Sequence, residues 1–274
     1  MRFGESEVVL LSDGSFTLDP GAAFGIVPTP FWSKRFSTTE NRRVRLALHI
    51  PYIMGRDFHS LIDAGIGTAP DEKYRKIFEI EKSADLPRQL EQYGGPEAVD
   101  LIINSHLHFD HFGHCLDRSN SGWLFKNATI VAQNEEYAAF RKPNEFTVTN
   151  YGWLDRGLLP KVKKLALRGT TRLGHGIQAV HTGGHTKGHQ AVIFSEGGRE
   201  LIYFGDLIPT AFHTRLPYMT AIDTFPLQSL EMKRKLISRA IRKKSICIFN
   251  HDMETPVAVL SGTPSDVKIE PVSL

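Results

Sequence analysis

"INSHLHFDHFGHC", residues 103–115, sets four of the chain's twelve histidines and an aspartate within nine positions, directly after an apolar run. In an extended strand alternate side chains share a face, so His106 and His108 are expected to leave the end of "DLIINSH" pointing the same way. The chain must then turn, and Asp110 and His111 follow from the turn or from the first residues of a helix. Four candidate ligands thereby converge from six residues. Neutral imidazole nitrogens and a carboxylate are what zinc and related divalent ions bind well. The plainer alternative is a histidine-rich surface turn, and the residues downstream decide against it.

Three later segments offer one such residue each. "HTGGHTKGH" at 181–189 presents His185 on a glycine-containing turn, where backbone can approach closely. "LIYFGD" ends an apolar strand with Asp206, and "CIFNHD" ends another with His251. A ligand-type residue just past the carboxyl end of a buried strand stands where α/β folds place their sites. Singly each reads as a cap or a turn; in this order the four segments describe one site.

The rest of the chain alternates strand and helix patterns. "EVVLLSDGSFTLD", "VRLALHIPYIM", "HSLIDAGIG", "VKKLAL", "GIQAVHT", "QAVIFSE" and "ELIYFGD" read as strands, and "ATIVAQNEEYAAFRK" as strand then helix. Residues 71–93 carry helical spacing, and a helix is expected at about 226–243 with Leu227, Leu230, Ile237 and Ile241 on one stripe and Pro226 in its first turn. Residues 142–160 are irregular and look like an insertion over the site. With 41% hydrophobic and 23% charged residues, the 274-residue chain has globular composition and can bury a large core. No linker, repeat or low-complexity tract interrupts it, so a single domain over 1–274 is expected. The net charge of +3 comes without a basic stripe interleaved with aromatics, which argues against nucleic acid. The one basic cluster, "MKRKLISRAIRKK" at 232–244, reads as the solvated face of a helix. No run of eighteen apolar residues suggests a membrane span, the opening "MRFGESE" lacks the apolar core of a signal peptide, and two cysteines make no disulfide framework. The cytoplasm is the expected compartment.

H-x-H-x-D-H, then G-H-T-x-G-H, then Asp, then His resembles the metallo-β-lactamase superfamily, and the resemblance runs from "LIDAGIG" to "NHD". It implies an αββα sandwich with two divalent metal ions at one edge of the sheets. Carried over by position, His106, His108 and His185 would hold the first metal, and Asp110, His111 and His251 the second, with Asp206 bridging. Zinc is the expected ion, with iron, manganese or cobalt as alternatives. Asp110 and Asp206 would be the catalytic carboxylates, Asp110 passing a proton to the leaving oxygen, while His189 and Asp63 would orient ligands from behind. Class B β-lactamases lack this combination of Asp206 and His251, flavodiiron enzymes carry Glu where His108 stands, and β-CASP nucleases are far longer. The spelling "SHLHFDH" looks most like the N-acyl-homoserine lactonases, which makes Phe109 a contact for an acyl chain or ring. "GAAFGIVPTPFW" at 21–32 resembles the pocket-lining loop of related lactonases and organophosphate hydrolases, with dimer packing as the equal alternative.

The sequence also departs from that pattern. Gly183 and Lys187 stand where the family's turn carries prolines, and Asn250 where glycine is usual. His114 replaces a glycine, which makes it a surface or outer-layer residue rather than a ligand. Pro209 stands where the lactonases place a tyrosine that helps hold the substrate carbonyl, with Tyr218, His213 or Tyr151 as substitutes. The expected activity is hydrolysis of lactones or carboxylic esters as small-molecule substrates, with a homodimer left open. Phosphotriester or thioester hydrolysis on the same fold is the alternative, and a mononuclear iron oxygenase of the persulfide type is the second alternative.

Overall fold

The computed structural model describes residues 1–68, 71–119 and 122–274. Two seven-stranded sheets carry the fold, and in each the spatial order of strands follows the chain. The first sheet runs Arg2–Phe3, Ser6–Leu18, Val44–Met54, His59–Ile62, Leu101–Ile103, Thr129–Gln133 and Lys164–Leu167. It is antiparallel as far as His59–Ile62 and parallel beyond. The second runs Thr171–Gly174, Ile177–His181, Gln190–Glu196, Arg199–Tyr203, Ile246–Ile248, Val257–Thr263 and Asp266–Pro271. Its one parallel pairing, Arg199–Tyr203 with Ile246–Ile248, is joined by the helix Pro226–Lys243.

Strand alternation divides the side chains among three cores. Ile102 and Ile130 point outward onto Leu86, Leu90, Phe112 and Phe140. Their neighbours Ile103 and Val131 point inward and meet Phe194, Leu201 and Ile248 of the other sheet. On the far side Ile193, Ile202 and Cys247 pack against Leu236, Ile237 and Ala240 of the long helix. Helices cover both outer faces and two sheets lie between, which is the expected αββα sandwich. A period of two apolar on both faces is what a doubly covered strand requires.

Several readings of the sequence change here. The strand at the opening motif ends at Ile103, three residues short of His106, because the Ser105 N–H leaves the ladder for the Asp63 carboxylate at 2.6 Å. The helical stretch at 71–93 is two short helices, Glu72–Ile77 and Leu86–Leu90, with a break between them. The helix Pro226–Lys243 has the expected bounds, yet Leu227 is 80% exposed and the buried stripe is Ser229, Lys233, Leu236, Ile237 and Ala240. Lys233 is not on the solvated face: its ammonium donates to the carbonyls of Arg215 at 3.0 Å and Tyr218 at 2.5 Å, and burial draws it down to about 7. The hairpin Val257–Thr263 with Asp266–Pro271 lies beyond the strands read from sequence. Among the described residues no helix is long and apolar enough to cross a membrane.

The pairing fixes where the chemistry gathers. Ile62, Ile103 and Val131 are paired neighbours in the first sheet, as Tyr203 and Ile248 are in the second. Asp63, the 104–111 segment, Asp206 and His251 therefore all leave strands at the same edge of the sandwich.

Candidate metal centre

At that edge His106, His108 and His185 bring one nitrogen each into a common space, and Asp110, His111, Asp206 and His251 form a second such group. All seven are residues the sequence singled out. Asp206 stands between the groups. Its Oδ2 lies 3.4 Å from His185 Nε2 and 3.9 Å from His106 Nε2, while its Oδ1 lies 3.2 Å from both His111 Nε2 and His251 Nε2. Asp110 Oδ2 completes the second group, 3.3 Å from His251 Nε2 and 3.5 Å from His111 Nε2. One carboxylate oxygen per group is the arrangement a bridging ligand needs.

Four of the five imidazoles are held from behind, while His108 Nδ1 lies 3.2 Å from His185 Nε2. His106 Nδ1 lies 3.0 Å from Ser105 Oγ, His111 Nδ1 donates to Asp63 Oδ2 at 2.7 Å, His185 Nδ1 to Asp223 Oδ1 at 2.9 Å, and His251 Nδ1 to the Ala47 carbonyl at 2.7 Å. The Ser105 hydroxyl donates to Asp63 at 2.8 Å, so it accepts from His106. With the Nδ1 atoms committed, the Nε2 atoms face inward, and those of His106 and His111 are buried without any hydrogen-bond partner. Buried polar atoms are rarely left so. A cation satisfies both groups at once, since nitrogen and carboxylate donors backed by fixed outer partners are how metal sites are built. The residues present fit two divalent ions.

Electrostatics is uneven across the cluster. Burial, reinforced by neighbouring imidazoles, pushes His106 well below its ordinary range and His108 to about 3, whereas for His185 burial is outweighed by Asp223 and Asp206, which raise it. Burial also opposes the charged form of His251, but Asp206 and Asp110 outweigh it and raise His251 to about 9. The same carboxylates hold His111 well above its ordinary value. A cation bound there takes the place of those protons.

Asp63 is the outer residue with the most attachments. Its Oδ1 accepts the Ser105 N–H, and its Oδ2 accepts from the Ser105 hydroxyl, His111 and the Tyr203 phenol, the last at 2.5 Å. Its backbone is left-handed, φ 62°, a conformation that costs a non-glycine residue energy and recurs at functional sites. Asp63→Asn keeps the shape and, because an amide turns an N–H₂ toward donors, sets donor against donor. We expect metal affinity to fall roughly 10–100-fold, read by competition with a chromogenic chelator; unchanged affinity would remove Asp63 from the ligand framework.

His189 does not take the orienting role expected of it. Its Nδ1 lies 2.6 Å from Thr182 Oγ1, and its Nε2 has no partner. The outer residues that sequence reasoning missed are Asp223 and Glu136. The buried Glu136 carboxylate accepts from the Leu107 N–H at 3.1 Å, the Thr186 hydroxyl at 2.6 Å and the Gly188 N–H at 3.0 Å. It thus ties the His106–His108 segment to the turn carrying His185. A Cβ on Gly188 would come 2.9 Å from Glu136, so this close approach needs glycine. Gly183 has φ 57°, which proline cannot adopt, and the turn departs here in conformation as well as in sequence. Neither Asp223 nor Glu136 sits in a pattern that marks it, since each acts through a partner distant in sequence.

A cavity of about 240 Å³ opens onto the cluster, reaching His108, Asp110, His185, Asp206 and His251. Phe16, Leu18, Leu46, Phe78, Phe109 and Ile222 make its apolar walls, and Ala22 and Ala23 bring in the 21–32 segment. Phe109 packs against Phe78 at 4.7 Å and Trp153 at 5.0 Å. Among the described residues no lysine or arginine lines it. Pro209 does, and the expected substitutes for a tyrosine there are otherwise engaged. Tyr151 is buried edge-on against the His108 ring, Tyr218 packs on Phe212 outside the cavity, and His213 is spent on Thr210 and the Ala23 carbonyl.

Residues 52–241 match the metallo-beta-lactamase superfamily. Among curated proteins, an N-acyl homoserine lactonase from Bacillus sp is 28% identical over 162 residues, 58% of this chain and 58% of that protein. The chain thus spans less than two thirds of the length of the curated relatives it matches. A solved structure of a probable metal-dependent hydrolase from Staphylococcus aureus superposes with TM-score 0.91 and 28% identity, covering 100% of this chain and 99% of the other. The dizinc quorum-quenching lactonase AidC, with the product of its reaction bound, shares the fold at TM-score 0.79 and 18% identity, over 100% of this chain and 97% of its own.

Proposed function

The chain belongs to the metallo-beta-lactamase superfamily, and on that premise we propose that it is a dinuclear metal-dependent hydrolase that opens lactones or cleaves carboxylic esters. The observation that carries this reading is the cavity: apolar walls with, among the described residues, no lysine or arginine at one end, and the seven-residue cluster at the other. A neutral acyl substrate fits such a space. A thioester on an anionic carrier does not, because burying its charges beside Asp110 and Asp206 without a lysine or arginine is costly.

His106, His108 and His185 would hold one ion and Asp110, His111 and His251 the other, with Asp206 shared. Zinc suits imidazole and carboxylate donors, as do iron, manganese and cobalt. Bound there, the two ions supply a nucleophile by acidifying water, and polarise the scissile carbonyl. The protein's own groups do the rest. Asp110 lines the cavity, and although burial alone would raise it, His111 and His251 keep its carboxyl ionised. With Oδ2 turned to the second group, its other carboxylate oxygen can take up a proton and return it to the departing alkoxide. Phe109 and Phe78 exclude water from the acyl side.

Pro209 favours a second reading. It has no donor in side chain or backbone to meet a lactone carbonyl, so neutral phosphotriesters rank next. A mononuclear iron oxygenase leaves Asp110, His111 and His251 without a task. Metal-reconstituted protein should be assayed on acyl-homoserine lactones of several chain lengths, paraoxon and a glutathione thioester. We expect lactone turnover that improves with chain length, and none of the thioester; paraoxon turnover without lactone opening would transfer the assignment to phosphotriesters.

A further inference from the structure

The bridging carboxylate has an outer partner of its own. The Asn250 amide donates to Asp206 Oδ1 at 2.8 Å, the oxygen that lies 3.2 Å from both His111 Nε2 and His251 Nε2. Among the described residues it is the one hydrogen-bond donor to Asp206 other than the cluster's imidazoles. A carboxylate oxygen has two lone pairs, so the amide takes one and leaves the other for the second group. The contact also decides the amide's orientation, because the reverse would set the Asn250 oxygen against the carboxylate.

Asn250 stands on a fixed support. It follows the strand Ile246–Ile248, its carbonyl accepts the His49 N–H at 2.9 Å, and the next N–H, of His251, donates to the Pro209 carbonyl at 2.9 Å. The turn is thereby tied both to the strand Val44–Met54 and to the segment that leaves Asp206. A purely structural role does not account for the side chain. Asn250 is 1% exposed, and its own Oδ1 is buried without a hydrogen-bond partner among the described residues. A buried carboxamide with one end unsatisfied costs stability, and such a breach is expected where a site needs the group. The glycine usual at this position has no side chain to make the bond, so the contact belongs to this chain's own sequence.

Resting on the dinuclear reading above, we propose that Asn250 is a positioning residue for the bridge: it holds Asp206 with Oδ1 toward Asp110, His111 and His251, and so sets the affinity of that group for its ion. Without the amide the carboxylate is free to turn, and the second group loses the alignment of its shared donor. Oδ2, which faces the three histidines, has no such bond to lose among the described residues, and those imidazoles remain to hold the first ion.

The test titrates zinc against a chromogenic chelator in the parent, in Asn250→Leu, which keeps the shape without the donor, and in Asn250→Ala. His251→Ala, which removes a donor from the second group only, shows which of the two binding steps belongs to that group. In both Asn250 variants that step should weaken roughly 10–100-fold, while the other stays within about threefold of the parent's. Turnover should recover as zinc is raised. The metal-free Tm of at least one variant should stay within about two degrees of the parent's, as it must if the side chain serves the ion rather than the packing. No weakening of that step, equal weakening of both steps, or a larger fall of Tm in both variants overturns the assignment of Asn250 alone. A parent that binds fewer than two zinc ions overturns the dinuclear reading and this assignment with it.

Discussion

Asp206→Ala is expected to leave the chain unable to hold two metals, with hydrolysis at background. Among the described residues no other side chain offers an atom to both groups: Oδ1 is 3.2 Å from His111 and His251, and Oδ2 is 3.4 Å from His185. Without it, Asp110 is the carboxylate left in the cluster to face two divalent charges, and mutual repulsion between the ions goes unscreened in a buried space. His251→Ala removes a donor from the second group only, so it should retain close to one ion per chain while Asp206→Ala retains fewer. Both should lose more activity than the roughly 10–100-fold that an outer partner such as Asp63 costs. Elemental analysis of gently purified and of reconstituted protein reads this directly. Two ions per chain in Asp206→Ala, with turnover near the parent's, would exclude the bridging role and the proposed centre with it.

All seven cluster residues were legible because the fold delivers them locally. Four lie within the six positions 106–111 that follow the strand ending at Ile103, His185 lies in the turn between the strands Ile177–His181 and Gln190–Glu196, and Asp206 and His251 follow Tyr203 and Ile248, which are paired neighbours. A strand end fixes where such residues go, so pattern and position suffice. What sequence could not show is which residues stand behind them. Asp223 reaches His185 from 38 positions away, and Glu136 binds segments on either side of it in the chain. Their partners are backbone N–H groups, hydroxyls and ring nitrogens, which carry no periodicity. His189 shows the converse error. It has the spacing of an outer partner, but its ring turns to Thr182. The αββα layering was legible from strands apolar on both faces, whereas the hairpin at 257–271 was not: its outer strand alternates exposed and half-buried residues, as an edge strand does.

His114 carries the second large effect, and it concerns stability. Expected at the surface or behind the ligands, it is instead 1% exposed and held between two carboxylates, 3.0 Å from Asp13 and 2.7 Å from Asp117. Lys82 also pairs with Asp13. The same carboxylates accept the N–H groups of Ile66 at 2.8 Å and Thr68 at 2.9 Å, so the group fastens the loop that follows Asp63. Burial opposes the charged ring, but Asp13 and Asp117 outweigh it and raise His114 from 6.5 to about 9. That difference corresponds to about 3 kcal/mol, which agrees with the roughly 3–5 kcal/mol for breaking a buried ion pair. The sign follows from the raised value: the contribution is fully present below the unfolded value of 6.5 and is lost as pH rises through about 9. Asp13 is shifted the other way: burial raises it, but His114 and Lys82 prevail, so its share is lost as pH falls through its lowered value. His114→Ala should therefore lower Tm by roughly ten degrees at pH 6, with the gap closing by pH 10. Metal content at low temperature should stay at the parent's, since His114 touches none of the seven cluster residues. A gap that is constant across pH would mean the imidazole acts by packing alone, and loss of metal would return it to the centre.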